Sequence, residues 1–280
     1  MHEMDSSMPG APTVMVVDAG DVFVGGRYHS LVPILRFGKE LLDHLNAYRI
    51  RQCFTLFSFR EEYEGGRDFY HAVAVIKKGS LTNVRNLKDL RNKHACFAGV
   101  GTQAGWTIPL YNLVEQDVMP ITDCNNYVKS TSDFFAESCA VNTLQDRYNP
   151  LGDNSNKLCE ICGSHEPGVR CTVKDPYAGF RGAMLCLQDK GDIAFVKHNT
   201  LDSLASIGIR PEDHELLCKD GTRALLSDYA SCSWGVAPGH FVIVSSAMEP
   251  QERKAAQKFL TRAVKKYGRG GSQSRQTNKL

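Results

Sequence analysis

The chain has no apolar run near the roughly 20 residues that a membrane-spanning helix needs, so nothing in it reads as a transmembrane segment. Its first residues, Met1-His2-Glu3-Met4-Asp5-Ser6-Ser7, carry acids and no apolar core, which excludes a secretory leader at that position. The formal net charge is only +2. That is too near neutral for nucleic acid or an acidic membrane to be the main partner. There is no N-x-S/T sequon. There is also no nucleophile elbow, no HExxH and no P-loop, so a hydrolase is disfavoured although Ser, His and Asp are all present. No internal repeat is found, and the chain is read as not an enzyme.

Cysteine, in contrast, is abundant. There are 10 cysteines, at 53, 96, 124, 139, 159, 162, 171, 186, 218 and 232, and all but the first lie beyond residue 95. This density points to disulfides and an oxidising compartment. A disulfide-rich chain without an export signal implies that the natural N-terminus lies upstream of Met1. The hydrophobic fraction is 42% and the charged fraction 23%, so a globular core can be filled.

The pattern along the chain alternates strands and helices. Val14–Val17, Tyr70–Ile76, Ala95–Ala98, Ile193–Val196 and Phe241–Val244 are short apolar runs closed by turn residues, and read as buried strands. Helical spacing runs over Thr107–Gln116, with Pro109 in the first turn, over Asn126–Glu137, over Gly182–Leu187 and over Gln251–Lys266. Residues 148–175 are rich in Gly, Pro, Asn, Asp and Cys and read as a disulfide-pinned loop. Residues 1–12 and 268–280 read as a disordered lead and tail. The fold class is therefore α/β. The Trp106 and Ile108 stripe is helix core, Lys77-Lys78 a solvated strand end, and Lys197 and His198 are strand-end residues.

Several segments together carry a specific likeness. Cys96-Phe97-Ala98-Gly99-Val100-Gly101-Thr102-Gln103-Ala104-Gly105-Trp106-Thr107-Ile108-Pro109 resembles the strand-to-helix segment that binds the synergistic carbonate in the transferrin family. Tyr177-Ala178-Gly179-Phe180-Arg181-Gly182-Ala183-Met184-Leu185-Cys186-Leu187, followed by Gly191–Thr200, is similar to another hallmark of that family. Phe69–Val75 and Val17–Gly20 match two more, so the resemblance spans about residues 13 to 265. It implies a lobe of periplasmic-binding-protein type, with two subdomains around a hinge cleft that holds one ferric ion. On that basis residues 13–69 and 240–267 form a partial first subdomain, and 70–239 a near-complete second one. The chain is then expected to be truncated at both ends, with one subdomain incomplete.

The resemblance also implies the ligands. The family aspartate falls on Asp18, the first tyrosine on Tyr70 and the histidine on His240. Ferric ion is a hard cation that suits phenolate and carboxylate oxygen. Taken singly, Asp18 is a turn former, Tyr70 a strand aromatic and His240 a loop histidine; the functional reading rests on their joint occurrence. The second tyrosine falls on Phe180, which has no oxygen. The carbonate-binding threonine and arginine fall on Ala98 and Thr102, which leaves a weakened anion site at Gly99, Gly101 and Thr102. Loss of the arginine fork alone costs on the order of 3–5 kcal/mol by analogy with a broken buried charge pair. The altered loop resembles that of the second lobe of melanotransferrin-like members.

The same resemblance implies the pairings Cys96–Cys186, Cys139–Cys162, Cys159–Cys171 and Cys218–Cys232. Cys124 matches a cysteine whose partner lies further along than this chain extends, and Cys53 has no counterpart. Joining Arg36 to Arg60 would restore family-like spacing between Asp18 and Tyr70. Residues 37–59 therefore read as an insert, either mis-spliced or a genuine loop insertion. The expected function is a secreted, extracellular iron-binding or iron-transport protein whose lobe has lost or weakened ferric binding. The alternative is a structural or cell-surface descendant of the same scaffold. The expected partners are ferric iron with carbonate, and a cell-surface receptor or matrix protein.

Overall fold

The computed structural model describes residues 14–17, 31–36, 69–123, 126–239 and 241–267. Asp18, His240, Cys53, Cys124, the expected insert, the lead and the tail lie outside the described residues. The chain divides into two compact units. Within the described residues, the first holds 14–17, 31–36, Phe69 and 238–267, and the second holds 70–237.

In the first unit, β1 (Val14–Val17), β2 (Leu31–Arg36) and β10 (Phe241–Ser245) form an antiparallel sheet in the order β1-β10-β2. Val242 pairs with Leu35 while Ile243 pairs with Pro33, so Ile34 is bulged out. A bulge on an outer strand is where a proline without an N–H is tolerated. Helix α4 (Pro250–Tyr267) lays Ala256 and Leu260, one turn apart, with Met248 against Val242 and Val244. This agrees with the amphipathic pattern read over Gln251–Lys266.

The second unit is built on a mixed sheet. Its strands are β3 (Phe69–Lys77), β4 (Ala95–Phe97), β5 (Cys139–Ala140), β6 (Ile193–Lys197), β7 (His214–Leu217), β8 (Arg223–Ala224) and β9 (Gly235–Pro238). The order is β5-β4-β6-β3-β7-β8, with β9 also paired to β3. Strands β5, β4 and β6 run parallel, while β3 is antiparallel to both β6 and β7. Side chains alternate between two buried faces, as strand geometry requires. Ala72, Ala74, Ile76, Phe97 and Phe195 face a core shared with α1 (Ile108–Glu115) and α2 (Tyr127–Phe134). Val73, Val75, Cys96, Ala194 and Val196 face α3 (Gly179–Asp189) through Ala183, Met184 and Leu187. Both faces are covered, which explains why these strands read as continuous apolar runs.

Helix boundaries differ from the sequence reading for local reasons. α2 stops at Phe134, short of Glu137, because the next backbone is claimed elsewhere: Asn92 N–H donates to the Phe134 carbonyl and Ala136 N–H to the Lys93 carbonyl. Its start is held by Asn126, whose side chain accepts from the Val128 amide. α3 begins earlier than Gly182. Gly182 lies so close to the Tyr177 backbone that an added Cβ would sit 2.3 Å from its carbonyl carbon. α1 is preceded by a π-turn over Gln103–Thr107.

The irregular segment between β5 and α3 is held from its centre. Among the described residues, disulfides link Cys96 to Cys186, Cys139 to Cys162, Cys159 to Cys171 and Cys218 to Cys232. Buried Asp175 accepts from four amides: Gly163 and Tyr177 at 2.9 Å, Cys171 at 3.0 Å and Ser164 at 3.2 Å. A carboxylate that replaces water with four N–H donors organises a loop that has little apolar surface of its own. Asp175→Asn exchanges one acceptor oxygen for a donor that faces amides. It should lower the unfolding free energy by about 2–4 kcal/mol in a denaturant titration, with disulfides intact.

Candidate functional site

The segment after β4 turns sharply through Gly99–Thr102. The Val100 amide donates to the Val141 carbonyl at 3.0 Å, and the Thr102 amide to the Gly99 carbonyl at 3.3 Å. Gly101 adopts φ +88°, and the Tyr148 hydroxyl lies 2.5 Å from where its Cβ would be. A left-handed position with a phenol packed on it requires glycine. The Thr102 hydroxyl donates to the Gly99 carbonyl at 2.8 Å. Its proton is therefore used inside the turn. Ala98 contributes only a methyl group, and its carbonyl accepts from the Gly179 amide at 2.9 Å.

That last bond, with the Cys96–Cys186 disulfide, fastens the turn to the start of α3 and so places Phe180. Tyr70 is only 5% exposed and faces the same side of the sheet as Ala72. Ala72 pairs with Lys197, the last residue of β6. Lys197 thus shares the inward face with Phe195. It is 9% exposed, and its ammonium lies 4.2 Å from the Tyr70 ring centroid and 4.6 Å from that of Phe180. Lys197 is the strand-end residue expected, and its cation lies against both aromatic rings. Ring quadrupoles attract an ammonium, by about 2 kcal/mol when it is desolvated. Reading residues 193, 195 and 197 with period two is the signal that could have found it. Asp18 and His240 cannot be placed beside this group, since both lie outside the described residues.

Tyr177, three residues before Phe180, is the nearest phenol in sequence to the position where a second tyrosine was expected. Its hydroxyl donates to Asp189 at 2.5 Å, and it packs with the opposite core, among Ala183 and Leu187. Burial, then the Asp189 carboxylate, hold its pKa far above the ordinary phenol value. It is unsuited to act as a phenolate ligand. Cys139, Cys162 and Asp175 form a buried group of potential metal-binding atoms within 4.8 Å of one another. The two sulfurs are bonded to each other and the carboxylate is filled by amides, so this group is structural.

On the other face of the same strand pair, the His71 amide donates to His198 Nδ1 at 3.0 Å. The Tyr229 ring centroid is 4.4 Å from that of His198. Burial lowers the His198 pKa, against an opposing pull from Asp202. Burial and then the charge of His198 lower that of His71. Both rings are therefore held neutral in the folded state, while the unfolded chain takes up protons near pH 6.5. The stability they contribute is present above that value and is lost as pH falls through it toward the lowered folded values. The urea midpoint should fall between pH 7.5 and 5.5. His198→Asn, which keeps an acceptor for the His71 amide without titrating, should flatten that profile.

The mixed sheet, the disulfide framework and the glycine turn leading into a helix define a transferrin-type lobe. A family model for transferrin matches residues 45–278, and the chain belongs to the transferrin family. It is 43% identical over 269 residues to Transferrin 2 of Drosophila melanogaster, covering 94% of this chain and 30% of that protein. It is 30% identical to transferrin of Blaberus discoidalis over 83% of the chain and 31% of that protein. It is 35% identical to human melanotransferrin over 65% of the chain and 25% of that protein. The chain thus spans under a third of the length of these relatives. No helix among the described residues is long and apolar enough to cross a membrane.

Proposed function

We propose that this chain is part of an extracellular iron-handling protein of the transferrin family, and that this lobe binds ferric ion weakly or not at all. The carrying observation is the Lys197 ammonium seated between the rings of Tyr70 and Phe180. A ferric ion needs hard, anionic oxygen donors. Phe180 supplies none where the family correspondence calls for a second phenolate. A like charge beside an incoming trivalent cation disfavours it, to an extent set by the groups that already neutralise the ammonium. Carbonate would meet Ala98 and Thr102 in place of a threonine and an arginine, and the Thr102 proton is already used by Gly99. Asp18, Tyr70 and His240 remain as the ligand set carried over from the family, enough for weak capture of a ferric or divalent ion.

The same packing favours a second reading. A buried lysine packed against two rings is a contact that a structural or cell-surface descendant of the scaffold, with a receptor or matrix partner, could keep without metal. Ferric titration in bicarbonate, followed by calorimetry and visible absorbance, separates the readings. The native chain should show no strong carbonate-dependent tyrosinate-to-iron band. Phe180→Tyr with Thr102→Arg should strengthen ferric uptake by at least roughly tenfold, since each restores a charge-assisted contact. Adding Lys197→Gln should strengthen it again. Tight uptake with an intense band in the unaltered, folded chain would overturn the proposal in favour of a working carrier.

A further inference from the structure

Helix α4 carries six basic residues and one acidic residue, a net +5, whereas the whole chain is +2 and the remainder is therefore −3. Lys254, Lys258 and Arg262 are all exposed and recur at every fourth position. Successive cations along this face are about 6 Å apart. None of the three has an ion-pair partner among the described residues. Arg253 differs: its guanidinium donates to the Met248 and Ser246 carbonyls and so caps the turn before the helix. Beside the row stands Phe259, 71% exposed.

From this arrangement we infer that the outer face of α4 is a docking track for a linear sulfated polysaccharide. The choice of occupant follows from what the helix has left to offer. A helix that binds a bilayer by lying in its surface must present an apolar face to the lipid. The apolar face of α4 is already spent, with Ala256 and Leu260 packed on Val242 and Val244. One aromatic remains, too little for insertion but suited to cover a sugar ring. A straight row of unpaired cations complements a straight chain of sulfates, and its energy comes from counterion release and so depends on salt. This inference is independent of the iron reading.

The test is a titration of the full chain with a heparin oligosaccharide of defined length at several salt concentrations. The comparison is between Lys254→Gln/Lys258→Gln/Arg262→Gln and an equally neutralised control on the second unit, Lys78→Gln/Arg85→Gln/Lys88→Gln. By analogy with cations near an anionic surface, loss of three should weaken binding about a hundredfold. The control should change affinity less than about threefold, and Phe259→Ala should weaken it by a few-fold, with far-ultraviolet circular dichroism unchanged in all. Absence of binding by the native chain would overturn the inference, as would equal loss in both triple variants. Binding to phosphatidylserine vesicles through α4 without binding to heparin would overturn it in favour of a membrane.

Discussion

The structure of the second unit depends on one tether. The Cys96–Cys186 disulfide, with the hydrogen bond from the Gly179 amide to the Ala98 carbonyl, holds the end of β4 to α3. The cross-link joins residues 90 apart, and in the chain-entropy picture a loop of that size contributes roughly 4–5 kcal/mol. Its structural effect matters more than the number. It sets the glycine turn, Phe180 and the inward face of β6 in one group, so that changes at any of them are felt by the others. Gly182 serves the same end, because a side chain there would drive α3 off the Tyr177 backbone.

Within that group a cation lies against two aromatic rings. A site suited to a trivalent cation concentrates oxygen charge. The phenyl ring of Phe180 and the ring of Tyr70 both lie against the Lys197 ammonium. An ammonium is costly to bury and needs compensation. Ring faces supply part of it, which makes the lysine and the phenylalanine a matched pair. Restoring the phenol alone would therefore leave the cation in place, and the two positions must be considered together.

Much of the fold was legible from local pattern. Strands β3, β4, β6 and β10 announce themselves as apolar runs because both of their faces, or their one covered face, must be apolar. Strand β2 was not seen, and neither were β5, β7, β8 and β9. At two to four residues each, the last four are strands only because a neighbour pairs with them. The end of α2 was misplaced because Phe134 and Ala136 give their backbone to residues 92 and 93, a long-range bond that no local propensity records. For the site, the sequence supplies positions carried over by family correspondence, Phe180, Ala98 and Thr102 among them. The contact of Lys197 with Tyr70 and Phe180 was not legible, since a strand-end position does not say which rings a side chain meets.

The sequence by itself determined the α/β class, the cysteine-rich loop, the family and a side chain without oxygen at position 180, because each follows from residue type and order. Only the tertiary structure decided where charges come to rest. It directed the Thr102 hydroxyl back onto Gly99, drew four amides onto Asp175 and enclosed the Lys197 ammonium between two rings. Such contacts join residues far apart in the chain, and their energies depend on burial, which residue order alone does not specify.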